Sequence, residues 1–213
     1  MQTAESTLYV VRHGENPANI NREFSYKLID YSLTPKGVQQ AEETAAYLRD
    51  MDIHEIYSSP LKRAVETAEI IAAPFGLPVT LVEEFRENNV GVLEQQPPTD
   101  ENWALHDRII EDWYAGRHDS MFPDGEDFHT LLRRVRLGIT EILGNGNEFE
   151  RERRIAIVAH GGIMNGMARG LVKDAALHTR HLPNCAISEF SARLVAGELD
   201  LRLRNWAFCD HLS

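Results

Sequence analysis

The chain is expected to fold as an α/β protein: a three-layer α/β/α sandwich on a mixed, mostly parallel sheet, with a C-terminal hairpin and a small lid insertion. Three observations predict this. Short β-prone apolar runs alternate with helix-forming segments along most of the chain. Two of those runs, Leu8-Tyr9-Val10-Val11 and Ile155-Ala156-Ile157-Val158-Ala159, are apolar or aromatic throughout, as buried strands are. The last part alternates apolar and polar residues around Ala196-Gly197, the pattern of an antiparallel hairpin.

Residues 8–11 form the first predicted strand, and Gly14 is read as permitting a sharp turn after it. Thr34-Pro35, followed by Gly37 to Leu48, reads as a helix with Thr34 as N-cap and Pro35 in its first position. His54 to Pro60 is a second strand with its exit, and Leu61 to Ala73 is a helix whose apolar residues include Ala64, Ala68 and Ile71. Pro78 to Val82 is a third short strand, and the polar stretch from Glu83 to Gln96 carries Gly91. Residues 97–125 are the least regular, with Pro97-Pro98, a helical stretch from Trp103 to Tyr114 and a turn at Pro123-Asp124-Gly125. Phe128 to Leu143 is a helix, Gly144 to Asn147 a turn, and residues 155–159 the fourth strand. A helix from Gly162 to Val172 follows, and Ala186 to Leu194 pairs with Glu198 to Leu203 as the hairpin.

With 213 residues and no Pro-rich or Ser/Gly-rich linker, one domain spanning residues 1–213 is expected. Hydrophobic residues make up 43% and charged residues 26%, ordinary values for a soluble protein. No apolar run approaches the roughly 18 to 20 residues needed to cross a bilayer. The first residues have neither a basic region nor a long apolar one, so the cytoplasm is the expected location. Cys185 and Cys209 have no Cys-x-x-Cys spacing and are expected to be free thiols. A net charge of −11 opposes nucleic acid and anionic membranes as partners, so any phosphate pocket has to concentrate its arginines. A small phosphorylated substrate is the expected partner, and a homodimer is admitted.

In open α/β sheets, ligands bind beyond the carboxyl ends of the strands. Arg12, His13, Arg63, Glu87 and His160 all follow predicted strands or lie in the loops beyond them, which lets the fold assemble them into one pocket. Taken alone, a histidine at a strand end is more often structural, and a glutamate among Glu83, Glu84 and Glu94 more often belongs to a solvated loop. Asn16 and Asn19 are read either as turn caps or, for Asn19, as a phosphate contact. His178-Thr179-Arg180-His181 has no nearby third ligand and reads as an exposed loop. Gly144 to Asn147 lacks the Gly-Lys-Ser/Thr continuation of a phosphate cradle. Trp103, Trp113, Tyr114 and Phe122 are expected to pack the lid, with one or two left to line the organic part of a substrate.

These pieces, in their order, resemble the histidine phosphatase superfamily, with its phosphoglycerate-mutase-like fold. The likeness rests on Arg12-His13-Gly14-Glu15 with Asn19, Asp30 to Thr34 with Gly37 and Gln40-Ala41, and Ser58 to Ala64 with Thr67-Ala68. It continues through Arg86-Glu87 with Gly91, Pro123-Asp124-Gly125-Glu126, His160-Gly161-Gly162 and Leu182-Pro183-Asn184, so it covers nearly the whole chain.

The resemblance implies that His13 is a nucleophile forming a phosphohistidine, and that Glu87 donates a proton to the leaving oxygen. It also implies that Arg12, Arg63 and His160 hold the phosphoryl oxygens, with Asn19 and Gly161 as further phosphate contacts. Arginines beside His13 keep its ring neutral. No metal and no cofactor is expected. The segment at about 92–127 is the expected lid, and it is acidic: Glu94, Asp100, Glu101, Asp107, Glu111 and Asp112 outnumber Arg108 and Arg117. The mutases of the family have a longer, more basic insertion with paired arginines, and a glycine where this chain has Lys27. A metal-independent phosphomonoesterase is therefore favoured over a mutase, a phosphoprotein phosphatase or a non-enzymatic phosphate sensor.

Overall fold

Ser6–Arg12 forms strand β1, and its side chains alternate between two cores, Leu8 and Val10 facing one and Val11 the other. The computed structural model describes residues 3–144, 151–172 and 182–213. Among these, the elements after β1 are α1 (Pro17–Asn21), α2 (Pro35–Leu48), β2 (Glu55–Ser58), α3 (Lys62–Ala72), β3 (Val79–Leu81), α4 (Asp100–Tyr114) and α5 (Phe128–Gly144). They are followed by β4 (Arg154–Ala159), α6 (Gly161–Gly166), β5 (Ile187–Val195) and β6 (Glu198–Phe208).

The six strands form one sheet in the order β3-β2-β4-β1-β5-β6. The pairings β3/β2, β2/β4 and β4/β1 are parallel, whereas β1/β5 and β5/β6 are antiparallel. The mixed sheet with a terminal hairpin agrees with the sequence reading. On β4, Ile155, Ile157 and Ala159 join the core that includes Val135 and Ile139 of α5, while Ala156 and Val158 join the core that includes Ala45 of α2 and Ala68 of α3. Both faces of β4 are buried, which is why its sequence is apolar without alternation.

Thr34 caps α2 as expected, its hydroxyl accepting from Gly37 N at 3.0 Å, with Pro35 at the first position. The glycine at position 14 has a different cause from the one expected. Its backbone is not left-handed; instead, a Cβ there would stand 2.5 Å from Gly37 O, so the β1 exit and the start of α2 touch backbone to backbone. The helix expected from Gly162 to Val172 is also corrected. It is α-helical only over Gly161–Gly166 and continues as a π-helical turn over Met167–Leu171. Gly166 and Gly170 bring this segment against Leu131 and Leu132 of α5. The turn proposed at Gly144 to Asn147 lies beyond Gly144 outside the described residues, as does His178-Thr179-Arg180-His181. Cys185 and Cys209 are both free. Among the described residues no helix is long and apolar enough to cross a membrane.

Candidate active site

The parallel strands β1, β2 and β4 all end on one side of the sheet, and the chain continues from those ends into a cavity of about 390 Å³. Arg12, His13, Asn19, Arg63, Glu87, Gly161 and Gly162 line it. The sequence-predicted set is thus brought together, with one difference. His160, fully buried, is not among the residues that line the cavity, and its Nδ1 lies 3.2 Å from Arg63 Nη2.

The geometry fixes the proton positions on both histidines. Arg63 Nε lies 3.1 Å from His13 Nε2 and has only a hydrogen to offer, so Nε2 accepts. His13 Nδ1 then carries the proton and donates to Gly14 O at 2.8 Å. By the same reasoning, His160 Nδ1 accepts from Arg63 Nη2 at 3.2 Å, and His160 Nε2 donates to Ser59 Oγ at 2.7 Å. Burial, then Arg63, push both histidine pKa values well below the ordinary range, with Arg12 adding to the effect. Both rings are neutral at physiological pH.

Arg63 sits in the first turn of α3, where the strand-to-helix connection delivers it beneath β1. Desolvation lowers its pKa to about 10, opposed chiefly by the charge of Glu87, so it remains cationic at neutral pH. Its Nη2 also donates to Ser25 O at 2.8 Å, but its Nη1 is buried without a hydrogen-bond partner. Arg12 is alike: Nη1 donates to Leu182 O, and Nε is buried with no acceptor among the described residues. Two guanidinium groups that line the cavity with His13 therefore each keep a buried donor nitrogen without an acceptor among the described residues. A buried unmet donor costs about 1 to 3 kcal/mol, and more when charged, which marks the spot as built for an anion.

Glu87, in the loop that follows β3, faces this clamp and is held against the first turn of α6. Its Oε2 accepts from Gly162 N at 3.2 Å and its Oε1 from Asn88 N at 2.9 Å. A Cβ at residue 162 would lie 2.5 Å from Glu87 Oε1 and 2.4 Å from Asn88 Nδ2, so any larger residue here would push the Glu87 carboxylate and the Asn88 amide aside. Glu83 instead pairs with Arg86 at 2.9 Å, and neither Glu83, Glu84 nor Glu94 lines the cavity. Asn16 and Asn19 form a capping box at α1, and Asn19 additionally lines the cavity, its Oδ1 accepting from Asn184 Nδ2 at 2.9 Å. Cap and pocket wall are the same residue.

The far wall comes from α4. Trp103, His106, Asp107, Ile110 and Tyr114 recur at helical spacing and share the face that lines the cavity, together with Phe24. Trp113 and Phe122, also expected to pack the lid, are fully buried and pack edge to face with their ring centroids 5.4 Å apart. Among the described residues no three His, Cys, Asp or Glu side chains gather as a metal-ligand set.

Sequence reasoning missed two residues. Arg134 of α5 donates to the carbonyls of Glu84, Arg86 and Glu87 at 2.7, 2.6 and 3.1 Å, and forms a bidentate pair with buried Glu126. It fixes the backbone that carries Glu87. Glu94 accepts from the loop that follows Ser25. Neither has a local signature, because the backbone groups that each one holds lie about fifty or more residues away.

Residues 8–205 match the model of the histidine phosphatase superfamily (branch 1). The chain belongs to this superfamily. Curated members similar to it include the uncharacterized phosphatase PhoE of Bacillus subtilis, 28% identical over 205 residues that cover 96% of this chain and 95% of that protein. Another is the probable phosphoglycerate mutase GpmB of Erwinia tasmaniensis, 35% identical over 189 residues, covering 85% of this chain and 82% of that protein. In fold, the chain is similar to a mycobacterial glucosyl-3-phosphoglycerate phosphatase, with a TM-score of 0.75 at 24% identity over 96% of this chain and 100% of that one. It is equally similar to a phosphoglycerate mutase from Bacillus anthracis, with a TM-score of 0.76 at 20% identity over 99% of this chain and 96% of that one. Superfamily members named for both phosphatase and mutase activity thus share this architecture.

Proposed function

We propose that the chain is a metal-independent phosphomonoesterase that works through a phosphohistidine on His13 and acts on a small phosphorylated metabolite. The observation that carries the reading is the unmet pair of donors, Arg12 Nε and Arg63 Nη1, buried beside a neutral histidine whose Nε2 lone pair points at Arg63. A phosphoryl group supplies acceptors for both donors and an electrophile for the lone pair.

In the first step the Nε2 lone pair of His13 forms a bond to phosphorus, the ester P–O bond breaks, and the leaving oxygen takes a proton from Glu87. In the second, water attacks the phosphohistidine and gives a proton to the Glu87 carboxylate. The N–P bond breaks, releasing inorganic phosphate and restoring neutral His13. Arg12 and Arg63 stabilise the charge that spreads over the phosphoryl oxygens in both steps. Gly14 O, bonded to Nδ1–H at 2.8 Å, shares the positive charge that develops on the ring. His160 acts by orienting Arg63, and Asn19 and Gly161 stand at the cavity wall within the phosphate end. The α4 segment serves as the lid, and Phe24, Trp103 and Tyr114 receive the organic part.

Phosphoglycerate-mutase chemistry is the second reading, favoured by the names of the GpmB relatives. One assay separates the readings: a panel of phosphate monoesters that includes 3-phosphoglycerate, followed for free phosphate and for 2-phosphoglycerate, with and without EDTA. The proposal expects phosphate release from at least one small ester, undiminished by EDTA. Isomerisation without phosphate release would establish the mutase reading, and turnover that needs added metal would contradict the mechanism. Binding with no turnover would leave a sensor.

A further inference from the structure

Four consecutive backbone N–H groups, those of Tyr26, Lys27, Leu28 and Ile29, donate to the single oxygen Glu94 Oε1 at 2.6, 2.6, 2.9 and 3.2 Å. A concave run of main-chain donors is an anion-binding nest, and bonds from such donors to a carboxylate are of the strong, charge-assisted kind. The occupant is the protein's own side chain, buried to 7% exposure.

The nest is close to the phosphate end of the cavity. It follows directly on Phe24 and Ser25, both of which line the cavity, and Ser25 O accepts from Arg63 Nη2 at 2.8 Å. The charge of Glu94 is among those that hold Arg63 in its cationic form. From the other side, Asp30 accepts from Lys62 N at 2.8 Å and Glu66 accepts from Leu33 N at 2.7 Å, so α3 pins the same loop that Glu94 grips. Beyond Arg12 and Arg63 the cavity wall offers the carboxylates of Glu23 and Asp107 and the apolar surfaces of Phe24, Trp103, Ile110 and Tyr114. Among the described residues, Arg12 and Arg63 are the arginines that line the cavity itself, while Arg22 and Arg169 stack on the Trp103 and Tyr114 rings of its far wall.

We propose that Glu94 is a specificity-determining residue: by filling the nest at residues 26–29 it restricts the site to phosphomonoesters whose organic part carries no second anionic group. A substrate carboxylate or second phosphate meets the negative charge of Glu23 and Asp107 on the cavity wall and of Glu94 behind it, where the nest donors are already taken. Discrimination then comes from repulsion as well as from fit. This inference rests on the phosphomonoester reading of the site.

Two esters that differ only at the far group test it: glycerol 3-phosphate, which ends in a hydroxyl, and 3-phosphoglycerate, which ends in a carboxylate. Their affinities are measured by calorimetry in a His13→Ala background, so that no turnover intervenes, with and without Glu94→Ala and Glu94→Gln. The preference for the hydroxyl ester should shrink by about tenfold or more in Glu94→Ala. It should shrink by less in Glu94→Gln, which keeps an accepting oxygen but loses the charge. Acetate, a free carboxylate, should raise the melting temperature of the Glu94→Ala protein and leave that of the parent unchanged. Should Glu94→Ala not fold, the shift in Glu94→Gln decides. An unchanged preference in the folded variants would overturn the proposal, as would equal acetate effects on parent and variant. If neither ester binds even the parent, the phosphomonoester reading itself fails, and acetate still reports whether the nest is filled by Glu94.

Discussion

Arg63 Nε donates to His13 Nε2 at 3.1 Å, so the arginine proposed to clamp the phosphoryl group also holds the lone pair proposed to attack it. The bond fixes the ring as the Nδ1–H tautomer, and it must open as phosphorus approaches. In the proposed mechanism one guanidinium thus orients the nucleophile before the reaction and stabilises the charge during it.

Arg63→Lys removes this double use. An ammonium cannot bond His13, His160 and Ser25 O from one planar fork, so charge is retained while geometry is lost. The expected loss in kcat/KM is about a hundredfold or more, equivalent to about 3 kcal/mol. Steady-state kinetics on a hydrolysed ester checks this; near-parent values would show that the fork is dispensable.

The buried histidines make stability depend on pH. His13 and His160 have folded pKa values well below 6.5, first through desolvation and then through Arg63, whereas in the unfolded chain they titrate near the ordinary value. Below about pH 6.5 the unfolded state binds more protons than the folded state, so the stability present above that pH is lost as the pH falls. Each histidine contributes up to about 1.4 kcal/mol per pH unit. Urea unfolding between pH 7 and pH 5 should show the decline, and His160→Asn should make it shallower. An identical slope in that variant would contradict the assignment.

Glu87→Gln separates proton donation from shape. Hydrolysis of an alkyl phosphate should fall by about 10² to 10⁴, because the leaving alkoxide is strongly basic. An ester with a good leaving group, p-nitrophenyl phosphate, should lose much less in the phosphorylation step. Equal losses with unchanged phosphate affinity would remove Glu87 from the acid role.

Arg134 reaches Glu87 through the backbone, so Arg134→Met should act as a positioning defect. Breaking its pair with buried Glu126 is expected to cost about 3 kcal/mol or more in unfolding free energy. In protein that remains folded, alkyl phosphate hydrolysis should fall further than p-nitrophenyl phosphate hydrolysis, as in Glu87→Gln. A loss of stability with the leaving-group contrast unchanged would confine Arg134 to a structural role.

Much of this was legible in the sequence because the signals are local. Buried strands are apolar on both faces, Thr34-Pro35 starts a helix by its own chemistry, and residues placed after strand ends converge because parallel strands share an end. The features that escaped depend on distant partners. Gly14 owes its identity to Gly37, not to a turn. Glu94 looks like one more acid on an acidic segment until the loop at residues 26–29 folds onto it. His160 is fully buried against Arg63 and Ser59, a placement that nothing in its own segment signals.

The central claim is that His13 carries the phosphoryl group. Rapid quench with ³²P-labelled substrate, followed by peptide mapping under alkaline conditions, tests it most directly. An acid-labile, base-stable label on the peptide containing His13, formed and lost at rates that match turnover and absent in His13→Ala, is the predicted result. Full turnover in His13→Ala, or label located on His160, would contradict it.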